Sequence, residues 1–97
     1  MFDKKYRIVE IKSHKGVSDN PIHTYALNAI CYPAYFKVGE RGWMLCEVDD
    51  FFNPIRRIHT SIIQNIEKTQ KGFLICTENT VYVIEEVDTD GMECILA

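Results

Sequence analysis

The feature that most constrains the fold is a repeated alternation of short β-prone runs with turn-forming residues. The stretch "AYFKVGERGWMLCEVD", residues 34–49, contains two such runs separated by Gly-Glu-Arg-Gly. Gly39 and Gly42 can supply the positive φ that a short hairpin loop needs. We therefore predict a β-hairpin here, with its turn at residues 39–42.

Similar runs precede and follow this hairpin. "KYRIVEIK", residues 5–12, alternates imperfectly, with Val9 and Ile11 on one face and Tyr6 and Ile8 on the other. "GFLICTENTVYVIEEVD", residues 72–88, indicates a hairpin turning at residues 77–80, where Asn79 suits the left-handed conformation. "DTDG" indicates one more turn before a last strand in "MECILA".

The stretch "RRIHTS", residues 56–61, is polar but strand-like. Ile58, Thr60 and Ile62 occupy alternate positions, so we expect them to face the core, with His59 and Ser61 facing outward. A helix with isoleucines at i, i+4 and i+8 competes with this interpretation. The density of β-branched residues in a β-rich chain argues against the helix.

Residues 21–31 leave two alternatives open. Asn20 suits a helix N-cap, Pro21 suits the first helical position, and Pro33 would stop the helix. A strand running through Tyr25, Leu27 and Ala29 fits the same residues equally well.

The fold class follows from the spacing of these runs. Five to six strands, roughly 8 to 12 residues apart, are typical of a small sandwich or barrel, and a barrel leaves no sheet edge exposed. At 97 residues the chain suits one domain. We predict a single mainly β domain, residues 1–97, forming a small SH3-like or OB-like barrel of five to six strands, with one short helix around residues 21–31 as the open alternative.

The composition argues against several classes of protein. No apolar run approaches the ~20 residues that span a bilayer, and the first residues lack the apolar core of a signal peptide. We therefore expect a cytoplasmic protein that does not enter membranes. The four cysteines, Cys31, Cys46, Cys76 and Cys94, show no C-x-x-C spacing. We expect free, buried thiols, no metal site and no cofactor.

Charge is distributed unevenly, although the net charge is only -3. Residues 1–16 carry five basic and two acidic side chains, whereas residues 72–97 carry six acidic side chains and no Lys or Arg. We expect the two ends to form faces of opposite sign. Such faces suit a protein partner or self-association better than a polyanion.

The residues that could carry chemistry do not form a catalytic pattern. On one strand face His59 and Ser61 are separated by roughly 6.5 to 7 Å, too far for the hydrogen bond of a nucleophile and its base. We expect a non-enzymatic interaction module that binds another protein or a second copy of itself. We expect a core or half-buried role for Trp43, with the core favoured over a surface hot spot.

The alternative function is binding of single-stranded nucleic acid. Arg56 and Arg57 would contact phosphates, His59 and Ser61 would add contacts, and Phe51, Phe52 or Tyr35 would stack on bases. Six of these residues form the candidate binding face, namely Phe51, Phe52, Arg56, Arg57, His59 and Ser61.

Residues 36–86 resemble small uncharacterised proteins of bacterial phages and other mobile elements. The matching elements are a Gly-x-x-Gly turn, a mid-chain Thr-Ser pair and a late Thr-x-Asn-Thr-x-Tyr hairpin, formed by Gly39, Gly42, Thr60, Ser61, Thr77, Asn79, Thr80 and Tyr82. The resemblance covers about half the chain. It implies a compact β fold and an accessory role, and it brings no catalytic residue.

Overall fold

Six strands follow one another around a closed antiparallel barrel in the computed structural model, which describes residues 5–14, 26–48 and 54–87. Each strand pairs with its neighbours in the chain, and the first pairs with the last to close the barrel. The strands are β1 Tyr6–Ser13, β2 Ile30–Tyr35, β3 Arg41–Glu47, β4 Ile55–Lys68, β5 Gly72–Thr77 and β6 Thr80–Glu86. The predicted small SH3-like or OB-like barrel is confirmed, with six strands.

Side chains from all six strands fill the interior, as expected for so narrow a barrel. The most deeply buried of them are Ile8, Cys31, Met44, Cys46, Ile63, Ile75, Thr77 and Ile84. Because "DTDG" and "MECILA" lie outside the described residues, the six strands do not include the predicted last one.

A β-bulge in β1 explains the imperfect alternation of its sequence. The register with β6 shifts between Ile8 and Glu10, so Val9 is the extra residue. As a result Ile8 lies opposite buried Ile84, and Ile11, two residues past the bulge, packs against the same core. The predicted grouping of Val9 with Ile11, away from Ile8, is wrong because the bulge reverses the phase of the strand.

A second irregularity lies where β4 stops pairing with β3 and begins to pair with β5. Ile58 and Thr60 are buried as predicted, but Ile62 is 41% exposed and its neighbour Ile63 only 1%. The predicted inward position of Ile62 is therefore wrong. The register shifts on both sides of this point allow Ile63 to take the core position instead.

Residues 26–30 answer part of the helix-or-strand question. The Ala29 N–H donates to the Ala26 carbonyl, and Asn28 adopts a φ of 67°. The chain therefore turns before β2 begins at Ile30. A helix reaching residue 31 is wrong, and so is a strand through Leu27 and Ala29. Residues 21–25 lie outside the described residues.

The two predicted hairpins form, but their turns differ in detail. Gly39 has the expected positive φ of 93°, whereas Gly42 does not. Gly42 lies inside β3, where a Cβ atom would overlap the side chains of Phe36 and Ile63. The turn thus lies earlier than predicted, and Gly42 is needed for close packing.

The β5–β6 turn is closed by threonine side chains. The Thr80 N–H donates to Thr77 Oγ1 at 3.0 Å, and that hydroxyl donates to the Thr80 carbonyl at 2.8 Å. Asn79 does not adopt the predicted left-handed conformation, because these two bonds already close the turn.

The charged ends of the chain meet at one seam. β1 and β6 are adjacent, and Arg7 lies directly opposite Glu85 in their register. Within the described residues the predicted faces of opposite sign are therefore wrong, since the two strands share one surface. No helix among those residues has the length and apolar character needed to cross a membrane.

Candidate interaction face

The outer side of β2, β3 and β4 carries two rows of residues in register. Tyr32, Leu45 and Arg57 form one row, and Tyr35, Trp43 and His59 form the next. Directly opposite residues in antiparallel strands lie about 4.5 to 5.5 Å apart. The six side chains therefore share one continuous patch, which we call the aromatic face.

The aromatic face is open to solvent. Tyr32 is 36% exposed and Tyr35 41%, and both Arg57 and His59 are exposed. Trp43 is half-buried and lies on the outer side, between the buried residues Gly42 and Met44. The predicted core or half-buried role of Trp43 is therefore met as half-buried, with the ring on the outer side of the sheet and not in the core.

Arg57 holds one side of the Trp43 ring. Its guanidinium carbon lies 4.6 Å from the ring centroid, which is a cation–π contact. Trp43 and Arg57 lie in neighbouring rows on adjacent strands, and diagonal neighbours of this kind are close enough for long side chains to touch. The contact places a fixed positive charge among the aromatic rings.

The two tyrosine hydroxyls are tied to carboxylates at the rim. The Tyr32 hydroxyl donates to Glu47, and the Tyr35 hydroxyl donates to Glu40 Oε2 at 2.9 Å. These hydrogen bonds to a carboxylate raise the pKa of both tyrosines. Lys37 Nζ lies 3.5 Å from the same Glu40 oxygen. The rim therefore carries charges of both signs.

The structure divides the predicted binding face. Arg57 and His59 lie together on the aromatic face, but Arg56 is half-buried opposite Cys46, with its Nε buried. Because Arg56 and Arg57 are adjacent on a strand, their side chains leave opposite sides of the sheet. They do not form one phosphate-binding pair. Phe51 and Phe52 lie outside the described residues.

Ser61 belongs to a different part of the surface. It is half-buried, and its Oγ accepts a hydrogen bond from the Asn79 N–H at 3.2 Å. The hydroxyl thus supports the β5–β6 turn. His59, two residues earlier, belongs to the aromatic face instead.

The aromatic face was only partly visible in the sequence. Tyr32 and Leu45 carry no motif, and they join the face only because β2 and β3 pair in this register. The available signal was alternation within each strand, which places Trp43 and Leu45 on the side opposite Met44.

A cysteine and a histidine also approach each other at the end of β1. Cys76 Sγ lies 3.9 Å from His14 Nε2, and the same nitrogen lies 3.0 Å from the Thr77 carbonyl oxygen. A carbonyl only accepts hydrogen bonds, so Nε2 carries a proton in this contact. In that state it cannot act as a base toward the Cys76 thiol.

Free thiols are confirmed for the three cysteines in the described residues. Cys31 and Cys46 are buried as predicted, whereas Cys76 is half-buried, and Cys94 lies outside the described residues. No group of three or more His, Cys, Asp or Glu side chains in the described residues could hold a metal ion.

The chain matches no family model, and no curated protein or solved structure is significantly similar to it. The resemblance to small phage proteins accordingly stays a prediction.

Proposed function

We propose that the protein is a non-enzymatic interaction module that self-associates through the aromatic face. The observation that carries this proposal is the clustering of Tyr32, Tyr35, Trp43 and Arg57 on one exposed surface. Tyrosine, tryptophan and arginine are the residues most enriched in binding hot spots. They also supply large contact areas with few rotatable bonds.

The exposed apolar residues are concentrated on the same half of the barrel. Among the described residues, every large hydrophobic side chain that is well exposed lies between residues 27 and 62. The six are Leu27, Tyr32, Tyr35, Val38, Ile55 and Ile62. Strands β1, β5 and β6 contribute none of them. Such one-sided exposure supports the proposal of an interaction surface on this half of the barrel.

The charges at the face favour a second copy as the partner. Lys37 and Arg57 are positive, while Glu40 and Glu47 are negative. A two-fold symmetric interface brings the same patch of both copies together, so a patch with both signs can complement itself. A strongly acidic partner would instead favour a face of uniformly positive charge.

Self-association can be measured by sedimentation equilibrium over a range of protein concentrations. We expect a monomer–dimer equilibrium, and we expect Tyr35→Ala or Arg57→Glu to weaken it about 30-fold, the loss typical of a hot-spot residue. Lys71→Glu, which makes the same charge change at an exposed turn between β4 and β5, is the matched control. A monomer at every concentration would contradict the proposal.

Single-stranded nucleic acid is the second candidate partner. The observation in its favour is that Arg57 and His59 lie in register beside aromatic rings, as on a base-stacking platform. The carboxylates of Glu40 and Glu47, which accept hydrogen bonds from the tyrosine hydroxyls, work against binding a polyanion.

Fluorescence anisotropy of labelled single-stranded DNA and RNA, at low and near-physiological salt, separates the two candidates. Self-association through the aromatic face predicts no binding at either salt concentration. Micromolar binding that weakens steeply with salt, and that is lost in Arg57→Ala, would favour nucleic acid. A cytoplasmic location suits both candidates and remains a prediction.

A further inference from the structure

Two thiols face each other inside the barrel. Cys31 on β2 lies directly opposite Cys46 on β3, and both side chains are fully buried. Opposite residues in antiparallel strands have Cα atoms about 4.5 to 5.5 Å apart. A disulfide requires about 4.4 to 6.8 Å. The register therefore gives the two residues a Cα separation in the range that a disulfide requires.

The two thiols interact in the reduced protein. The hydrogen bond with Cys46, burial and the charge of Cys46 raise the pKa of Cys31. The hydrogen bond from Cys31 lowers the pKa of Cys46, with burial acting in the opposite direction. One thiol of the pair therefore stabilises the thiolate of the other through this hydrogen bond. A thiolate is the form that attacks oxidants.

Among the described residues, the barrel seam beside this pair has the fewest paired residues. β1 and β2 are joined by two residue pairs, and one of these is Tyr6 with Cys31. The β1–β6 seam, by comparison, runs from Tyr6 to Ser13. A short ladder opens at lower free energy than a long one. Two further backbone hydrogen bonds join Ile8 to the turn before β2, from the Ile8 N–H to the Ala29 carbonyl and from the Asn28 N–H to the Ile8 carbonyl. We expect local opening of this short contact to give a small molecule a route to the thiols.

We propose that Cys31 and Cys46 are a modification site at which a peroxide forms an intramolecular disulfide. The thiolate of one cysteine attacks one peroxide oxygen, the O–O bond breaks, and hydroxide leaves and takes up the proton that this thiol released, which gives a sulfenic acid on that cysteine. The sulfur of the other cysteine then attacks the sulfenic sulfur, the S–O bond breaks, and hydroxide leaves with the second thiol proton as water. Two thiols thus lose two electrons to one peroxide, which becomes two waters.

The disulfide would cross-link the two strands of the β2–β3 hairpin. The loop that it closes, from Cys31 to Cys46, restricts the unfolded chain, so the oxidised protein should be more stable. The outward neighbours of the two cysteines are Tyr32 and Leu45, both members of the aromatic face. Oxidation would thereby fix the hairpin that carries four of the six residues of this face. The disulfide itself does not depend on what the face binds.

Peptide mapping can identify the bond directly, because trypsin separates the cysteines. Cleavage after Lys15, Lys37, Arg41, Arg56 and Lys71 places Cys31 in peptide 16–37, Cys46 in peptide 42–56, and Cys76 with Cys94 in peptide 72–97. The folded protein is treated with hydrogen peroxide, alkylated and digested without reductant. We expect peptides 16–37 and 42–56 to be linked, with two hydrogen atoms lost, and to separate on reduction.

Thermal unfolding provides a second measurement on the same samples. We expect oxidation to raise the unfolding temperature by roughly 10 °C, and reductant to reverse the change. Cys46→Ala should abolish the rise, whereas the double variant Cys76→Ser, Cys94→Ser should retain it. Linkage of peptides 16–37 and 42–56 in this double variant would show that neither of the other cysteines is needed.

Two outcomes would overturn the proposal. In the first, peroxide oxidises peptide 72–97 or cross-links separate molecules while peptides 16–37 and 42–56 remain unlinked. In the second, these two peptides become linked only when the oxidation is carried out in denaturant. The mapping uses the unmodified protein, so either result holds even if Cys46→Ala does not fold.

Discussion

The two sides of the β2–β3 hairpin differ in burial and in what they contribute, although inward-facing and outward-facing residues alternate along each strand. On the inner side, Cys31 and Met44 are fully buried and help to fill the barrel. On the outer side, Tyr32 and Leu45 belong to the aromatic face, which is open to solvent. Neighbours in sequence are thus separated by the thickness of the sheet. The inner side determines whether the barrel is stable, and the outer side is available for binding.

The comparison also shows how hydrogen bonds differ between the two sides. Inside, the Gly42 N–H donates to Thr60 Oγ1 in a buried environment. Outside, the Tyr35 hydroxyl donates to Glu40 in solvent. A buried donor that loses its partner cannot turn to water, whereas an exposed one can. Removing one hydrogen-bond partner should therefore lower the free energy of unfolding more on the inner side than on the outer side.

The largest expected effect comes from truncating neighbouring residues on β3. Met44→Ala should lower the free energy of unfolding by about 3 kcal/mol, because it leaves a cavity in the core. Leu45→Ala, on the half-buried outer side, should lower it by about 1 kcal/mol or less. Urea unfolding of both variants measures the difference. Equal losses of free energy in the two variants would contradict the assignment of Met44 to the core and Leu45 to the outer side.

The second effect concerns the buried hydroxyl of Thr60, which accepts from Gly42 at 2.9 Å and donates to the Ser61 carbonyl at 2.7 Å. Thr60→Val keeps the shape but leaves the Gly42 N–H without this acceptor, so we expect a loss of about 2 kcal/mol. Thr60→Ser keeps the hydroxyl and is the control, expected to lose less. If valine is tolerated as well as serine, the hydrogen bond does not contribute to stability.

Local chemistry made much of the fold predictable from the sequence. Gly39 indicated the first hairpin turn, and the two threonines at residues 77 and 80 lie where the second was expected. The high density of β-branched residues in 58–63 identified β4. These features depend on residues close together in the chain, so a single sequence contains their signal.

The positions of the irregularities were not predictable. Val9 and Ile62 look like ordinary strand residues. Only the pairing with β6 makes Val9 the extra residue of a bulge, and only the register shifts around the change of partner from β3 to β5 leave Ile62 exposed. The aromatic face and the Cys31–Cys46 pair depend on the same long-range register. A turn placed a few residues too late gives the right hairpin with the wrong cross-strand neighbours.

The smallest expected effect is the response of inner and outer tyrosines to alkaline pH. Burial raises the pKa of Tyr82, and hydrogen bonds to Glu47 and Glu40 raise the pKa of Tyr32 and Tyr35. A raised pKa in the folded state favours the neutral phenol. The resulting stabilisation is complete below the unfolded-state pKa of about 10 and is lost as the pH rises through the folded-state pKa.

Unfolding in urea at several pH values around and above 10 should therefore show a decline in the free energy of unfolding. Tyr82→Phe should reduce that decline more than Tyr35→Phe does, because solvent screens the exposed hydroxyl. Stability that rises above pH 10, or a decline removed only by Tyr35→Phe, would contradict this assignment of inner and outer rings.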